Sequence, residues 1–139
     1  MNVFRFIRPK SSVEYIYDTS TVRQALEKMR YHHYVAIPVI TQEGVYVGTL
    51  RNEDIFKYFI DHNKHDSRSA EGDLVTEILD KEYLKPLPHS ASLGELFETV
   101  AEHNFVPVID DRSCFIGLVL RRDVLDFLLN YYNHRESGE

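Results

Sequence analysis

Ile37-Pro38-Val39-Ile40, followed by Gly48-Thr49-Leu50-Arg51-Asn52-Glu53-Asp54-Ile55, returns later in the chain as Val106-Pro107-Val108-Ile109 and Gly117-Leu118-Val119-Leu120-Arg121-Arg122-Asp123-Val124. Proline, glycine and aspartate recur at one common offset, so the chain is built from two copies of one unit, and a repeat constrains architecture more than local propensity does. Upstream, Thr21 to Met29 matches Ser92 to Val100, with the second copy two residues shorter between this segment and its proline strand.

The upstream segments read as helices. Val22, Ala25, Leu26 and Met29, and likewise Leu93, Leu96, Phe97 and Val100, follow the spacing of one buried helical face. Thr21-x-x-Gln24 and Ser92-x-x-Glu95 are capping boxes that mark both starts. Next come β-rich runs, Val35–Ile40 and Val45–Leu50 in one copy, Phe105–Ile109 and Cys114–Leu120 in the other. Gln42-Glu43-Gly44 and Asp110-Asp111-Arg112-Ser113 supply hairpin turns between them. Pro38 and Pro107 lack an amide donor and are expected at an edge or a bend. Asp54 and Asp123 are expected as N-caps of closing helices.

Extended segments, Val13–Tyr17 and Tyr83–Leu87, precede the two copies. The reading divides the chain into a first repeat with its lead-in over 1–60, a polar linker over 61–73, and a second repeat over 74–139 that opens on a lead-in helix at Asp73–Leu79 and closes on a C-terminal tail. Each repeat alone buries too little surface to be stable, so the two are expected to pack face to face with pseudo-twofold symmetry.

Composition narrows the function. The 139 residues carry 16 Lys and Arg against 22 Asp and Glu, a formal net charge of −6. An acidic chain is poorly suited to nucleic acid, whose binding draws on cations that neutralise phosphates. No apolar run approaches the roughly 20 residues of a membrane span, and the expectation is a soluble, cytoplasmic protein. Cys114 cannot form an internal disulfide and reads as a small hydrophobe. His32-His33 and His62-x-x-His65 lack the partners of a tetrahedral metal set, so no metal is expected. No nucleophile elbow, P-loop or dinucleotide fingerprint is present in the sequence, and an enzyme is not expected.

The doubled pattern, Ala36-Ile37-Pro38-Val39 with Gly48 to Ile55 and Phe105-Val106-Pro107-Val108 with Gly117 to Val124, resembles the tandem CBS domain pair, or Bateman module. The resemblance implies an α/β (α+β) fold of two β-α-β-β-α repeats. It also implies a regulatory module that binds an adenine nucleotide (AMP, ADP or ATP) between its repeats and signals to a partner protein. Cyclic di-AMP reception and a ligand-free dimerisation or scaffolding role are the alternatives. Carried over by position, the resemblance gives Asp54 and Asp123 to ribose hydroxyls. It places Tyr34, Val35, Ala36 and Ile37 around one adenine and Asn104, Phe105 and Val106 around the other, with backbone from Tyr15, Ile16, Tyr17 and Leu87 to His89. Where the family pattern has Ser or Thr, this chain has Arg51 and Leu120. A guanidinium at Arg51 can grip phosphate in two places, which favours the first cleft over the second, or it can fill that cleft instead; Arg121 and Arg122 are the cations near the second. The family also implies a homodimer, which the surplus tyrosines and phenylalanines would cover.

Overall fold

The computed structural model describes residues 2–64 and 66–137. Its strands in chain order are β1 (Arg8–Pro9), β2 (Ile16–Tyr17), β3 (Ala36–Ile40), β4 (Tyr46–Arg51), β5 (Leu87–Pro88), β6 (Phe105–Ile109) and β7 (Phe115–Leu120). Its helices are α1 (Val22–His32), α2 (Asn52–Asp61), α3 (Leu93–Glu102) and α4 (Arg121–Glu136). The mixed α+β class and the repeated helix, strand, strand, helix order are those the sequence predicts.

The compact units do not follow the repeat boundaries. One unit comprises Glu14–Lys85, and the other joins Met1–Val13 to Pro86–Glu139. The compact units and the sequence repeats thus divide the chain differently, because each lead-in fills the other half's core. Val3 and Phe6, at the two ends of the short 3-10 turn Val3–Arg5, are buried among Leu96, Val106, Val119 and Val124. Val75 is buried with Val22, Met29, Ile37 and Leu50. Asp73–Leu79 is not a lead-in helix but a single 3-10 turn, Val75–Glu77, stitched to the start of α1 by Val22 N donating to Asp73 O at 2.8 Å and Val75 N to Ser20 O at 3.0 Å. Nor is the stretch from 61 to 73 wholly a solvated linker, since Ala70 is fully buried and Asp73 accepts a hydrogen bond from the Tyr58 hydroxyl.

In the unit Glu14–Lys85 the sheet order is β2-β3-β4, with β3 parallel to β2 and antiparallel to β4. Helix α1 opens on the full capping box: Thr21 Oγ1 accepts from Gln24 N at 3.1 Å, and Thr21 N donates to Gln24 Oε1 at 2.9 Å. It closes at His33, whose φ of 59° ends the helix in the left-handed region. In the other unit the order is β1-β7-β6-β5. Ser92 Oγ accepts from Glu95 N at 3.2 Å, but the Glu95 carboxylate turns to the Ser92 hydroxyl instead of completing the box.

Pro38 and Pro107 lie in the middle strand of their sheets, not at an edge. Their missing donors are tolerated because the outer strands start late: β2 pairs from Val39 onward and β5 from Val108 onward. Matching backbone bonds confirm the internal repeat. Asn52 N donates to Val35 O at 2.9 Å as Arg121 N does to Asn104 O at 2.8 Å, so each closing helix is tied to the residue that enters the proline strand.

The two equivalent glycines differ. A methyl group on Gly117 would stand 2.2 Å from the Arg8 carbonyl oxygen, where β1 pairs with β7, whereas on Gly48 it would meet the end of the Leu79 side chain at 2.9 Å. Backbone cannot move aside as a side chain can. Gly117→Ala is expected to lower stability by about 1–3 kcal/mol and Gly48→Ala by clearly less, as read from urea midpoints at constant slope.

Candidate functional site

Both signature aspartates sit one turn deeper than an N-cap. Helix α2 starts at Asn52 and α4 at Arg121, so Asp54 and Asp123 are each the third helical residue, with Arg51 and Leu120 at the caps. The strands run straight into the helices, leaving no turn residue for an aspartate to occupy. A carboxylate in the first turn still meets the positive helix end.

From this shared position the two carboxylates find different partners. Asp54 Oδ2 accepts from Arg51 N at 2.9 Å and from Arg51 Nε at 3.3 Å, while Oδ1 accepts from Nη2 at 2.8 Å. The Arg51 guanidinium also lies 3.3 Å from Glu53, 3.6 Å from Asp80 and 3.9 Å from the centre of the Tyr83 ring. Burial alone would pull Arg51 down, but the hydrogen bond to Asp54 and the nearby negative groups hold it above its usual value. One cation among three carboxylates leaves the cluster negative. Arg51 is thus engaged by internal anions, which opposes a phosphate role for it.

The other predicted residues of this half divide by burial. Ile16 and Ile37 are buried in the core. Tyr17, Tyr34 and Val35 are exposed, and Ala36 and Tyr15 half-buried. Tyr15 and Tyr17 meet edge to face at 5.9 Å, and Tyr34 stacks on His32 at 5.2 Å.

In the second half Asp123 is paired by a residue far away in sequence. Arg8 Nε donates to Oδ2 at 2.7 Å and Nη2 to Oδ1 at 2.9 Å, a two-point clamp on a half-exposed carboxylate. The Arg8 hydrogen bond holds Asp123 below the ordinary carboxylate range against the upward pull of burial. Beside this pair opens a cavity of about 760 Å³ between the N-terminal segment and α4, lined by Arg5, Arg8, Phe127, Asn130, Tyr131 and His134 among others. It lies wholly within the unit Met1–Val13 with Pro86–Glu139.

Of the residues predicted for this half, Asp123 borders the cavity. Arg121 does not: its Nε donates to Val100 O at 2.6 Å and its Nη2 to Ala101 O at 3.4 Å, covering the open carbonyls of the last turn of α3. Val106 is core. His89 pairs with Asp111 at 3.2 Å and packs on Phe4, Asn104 is exposed, and Phe105 is half-buried. Arg5, Arg8, Phe127 and His134 were not foreseen. Their one trace in the sequence is a basic N-terminal segment, and nothing in it says which half that segment joins.

His32 Nε2 stands 3.0 Å from Glu14, His62 Nδ1 stands 3.1 Å from Tyr58 O, and His65 lies outside the described residues. Among the described residues no group of three or more His, Cys, Asp and Glu could hold a metal ion. Among the same residues no helix is long and apolar enough to cross a membrane.

The CBS domain model matches residues 5–61 and 75–130, so the chain belongs to the CBS-domain family. Protein MJ1225 of Methanocaldococcus jannaschii is 29% identical over 133 residues; the match covers 87% of this chain and 47% of that protein, so the chain spans about half the length of this curated relative. Its crystal structure, described as that of a candidate archaeal homologue of g-AMPK, superposes with a TM-score of 0.79 at 25% identity over 94% of this chain and 51% of that one. CbpB in complex with c-di-AMP matches with a TM-score of 0.89 at 21% identity, covering 100% and 91% of the two chains. CBSX2 in complex with AMP matches at 0.75 and 20%, covering 94% and 98%. At these identities the last two likenesses establish the fold.

The two ion pairs differ in burial, and their removal should differ in cost. Arg51→Ala strips a cation from a carboxylate only 8% exposed and is expected to cost about 3 kcal/mol. Arg8, 50% exposed, should cost under about 1 kcal/mol as Arg8→Ala. Urea unfolding of both variants checks the order.

Proposed function

We propose that this chain is a cytoplasmic, non-catalytic regulatory module whose second half, around Asp123, takes an adenine nucleotide and passes the bound state to a protein partner. The observation that carries the reading is the signature aspartate standing half-exposed at a cavity of about 760 Å³, within the range of small-molecule sites. The complexes of CbpB with c-di-AMP and CBSX2 with AMP support the ligand class. In this reading Asp123 accepts the ribose hydroxyls, with Asn104 and Phe105 toward the base. The same roles for Asp54, Tyr34 and Ala36 are weaker proposals, because the negative Arg51 cluster opposes phosphate. Coupling of about 1–3 kcal/mol between ligand and partner would change partner affinity five- to 150-fold.

A thermal-shift panel of AMP, ADP, ATP and cyclic di-AMP tests the reading. Ligand at 100 times its dissociation constant should stabilise the protein by about 2.7 kcal/mol. Asp123→Asn should remove most of that shift and Asp54→Asn little; equal losses would contradict the preference for the second half.

The ligand-free scaffolding reading is favoured by one observation, that both aspartates already hold an arginine. No shift from any nucleotide would select it.

The assembly is proposed to be a homodimer through the closing helices. Phe56 and Ile60 on α2, and Leu125, Leu129 and Tyr132 on α4, are all more than half exposed. Apolar side chains at such spacing mark a surface that another chain covers. Leu129→Glu is expected to convert the dimer to a folded monomer, as measured by light scattering at matched concentration; a wild-type monomer would refute the assignment.

A further inference from the structure

The cavity beside Asp123 has a charge character that the signature aspartate does not account for. Arg5 and Arg8 enter it from the N-terminal segment and His134 from the far end of α4. Arg8 spends two of its five N–H donors on Asp123 and keeps three. The Arg5 guanidinium rests on the Phe127 ring, 4.9 Å from its centre, a contact that holds its plane without consuming its hydrogen-bond donors. With Asp123 subtracted, the cavity carries one net positive charge before His134 is counted, in a chain whose formal charge is −6. Phe6 and Phe127, in edge contact at 5.3 Å, form an apolar floor that lowers the dielectric around those charges. Tyr131 and His134, on the last turns of α4, stand beyond residue 130, where the family match ends.

We propose that this cavity is an anion site that takes a phosphate or pyrophosphate group, gripped by Arg5 and Arg8, with Asp123 serving as the positioning residue that aims the Arg8 guanidinium. The proposal deepens the nucleotide reading of the same half, to which it adds the groups that hold the phosphate. The carboxylate remains available to a sugar, since each of its oxygens has accepted one hydrogen bond from Arg8 and can accept another. A phosphate therefore enters without the ion pair having to break.

Titration calorimetry of the full chain with inorganic pyrophosphate, AMP and adenosine tests it. Pyrophosphate and AMP should bind the wild type. Arg5→Gln and Arg8→Gln should each weaken both by about tenfold or more and leave adenosine unchanged, the loss of one charged hydrogen-bond partner. Arg30→Gln, which removes the same charge from the other unit, should change neither. Arg5 has only its contact with Phe127 to lose, so its variant stays informative if Arg8→Gln misfolds. Failure of pyrophosphate to bind, or binding to the Arg5 and Arg8 variants as tight as to the wild type, would overturn the anion site. If pyrophosphate binds through both arginines but AMP does not compete with it, the anion site stands and the nucleotide reading falls. If AMP binds with an affinity indifferent to both arginines, the nucleotide reading survives and the anion site is wrong.

Discussion

The pairing of Arg8–Pro9 with β7 rests on the missing side chain of Gly117. The Arg8 carbonyl lies where a β-carbon would be, so no other residue lets the N-terminal segment close against this sheet. That approach fixes the backbone of Arg8 opposite Leu118, within reach of the first turn of α4 five residues on. Val3 and Phe6 anchor the same segment by burial among Leu96, Val106 and Val119. The ion pair with Asp123 and the cavity beside it depend on both. Gly48, the equivalent position, faces the pliable end of Leu79, and among the described residues no strand pairs with β4 in the place of β1.

Two copies of one pattern therefore arrive at opposite electrostatics. At Asp54 the partner is the cap residue itself, three positions away, folded back into a nearly buried pair and surrounded by Glu53 and Asp80. At Asp123 the cap is Leu120, which has no charge to offer, and the partner comes from the other end of the chain. With leucine at the cap, the cation comes from a segment that also lines a cavity.

What the sequence reveals follows the range over which each signal acts. Capping hydroxyls at Thr21 and Ser92, the apolar stripe of α1 and the hairpin between β3 and β4 are decided by residues a few positions apart, and they are legible. The repeat adds the equivalence of distant segments, from which the family resemblance follows. Which half a lead-in enters is not legible, because Val3, Phe6 and Val75 are simply apolar, and either core could accept them. The contacts of Arg121 are not legible in the sequence for a similar reason. Its side chain answers the bare carbonyls of α3, a helix end 20 residues upstream, and no spacing in the sequence signals that demand. Asp123 was found by pattern, whereas Arg8, 115 residues from it, could be found only from the fold.

The energetics of the two pairs bear on which half can respond to a ligand. A nearly buried pair has already lost its water, and separating it exposes an uncompensated charge at a cost of several kcal/mol. Any ligand asking for Asp54 must first overcome that penalty, then enter a cluster with excess negative charge. The pair at Asp123 is still hydrated, its geometry is two-point but its net worth is small, and its surroundings are positive. In the proposed reading, a phosphate-bearing molecule binds there without displacing anything strongly held. Because the cavity is walled on one side by the N-terminal segment and on the other by α4, whose exposed face carries Leu125, Leu129 and Tyr132, an occupant of the cavity would touch the same helix that the proposed second copy of the chain covers. Ligand and partner then share one rigid element, the least that reciprocal coupling between two sites requires.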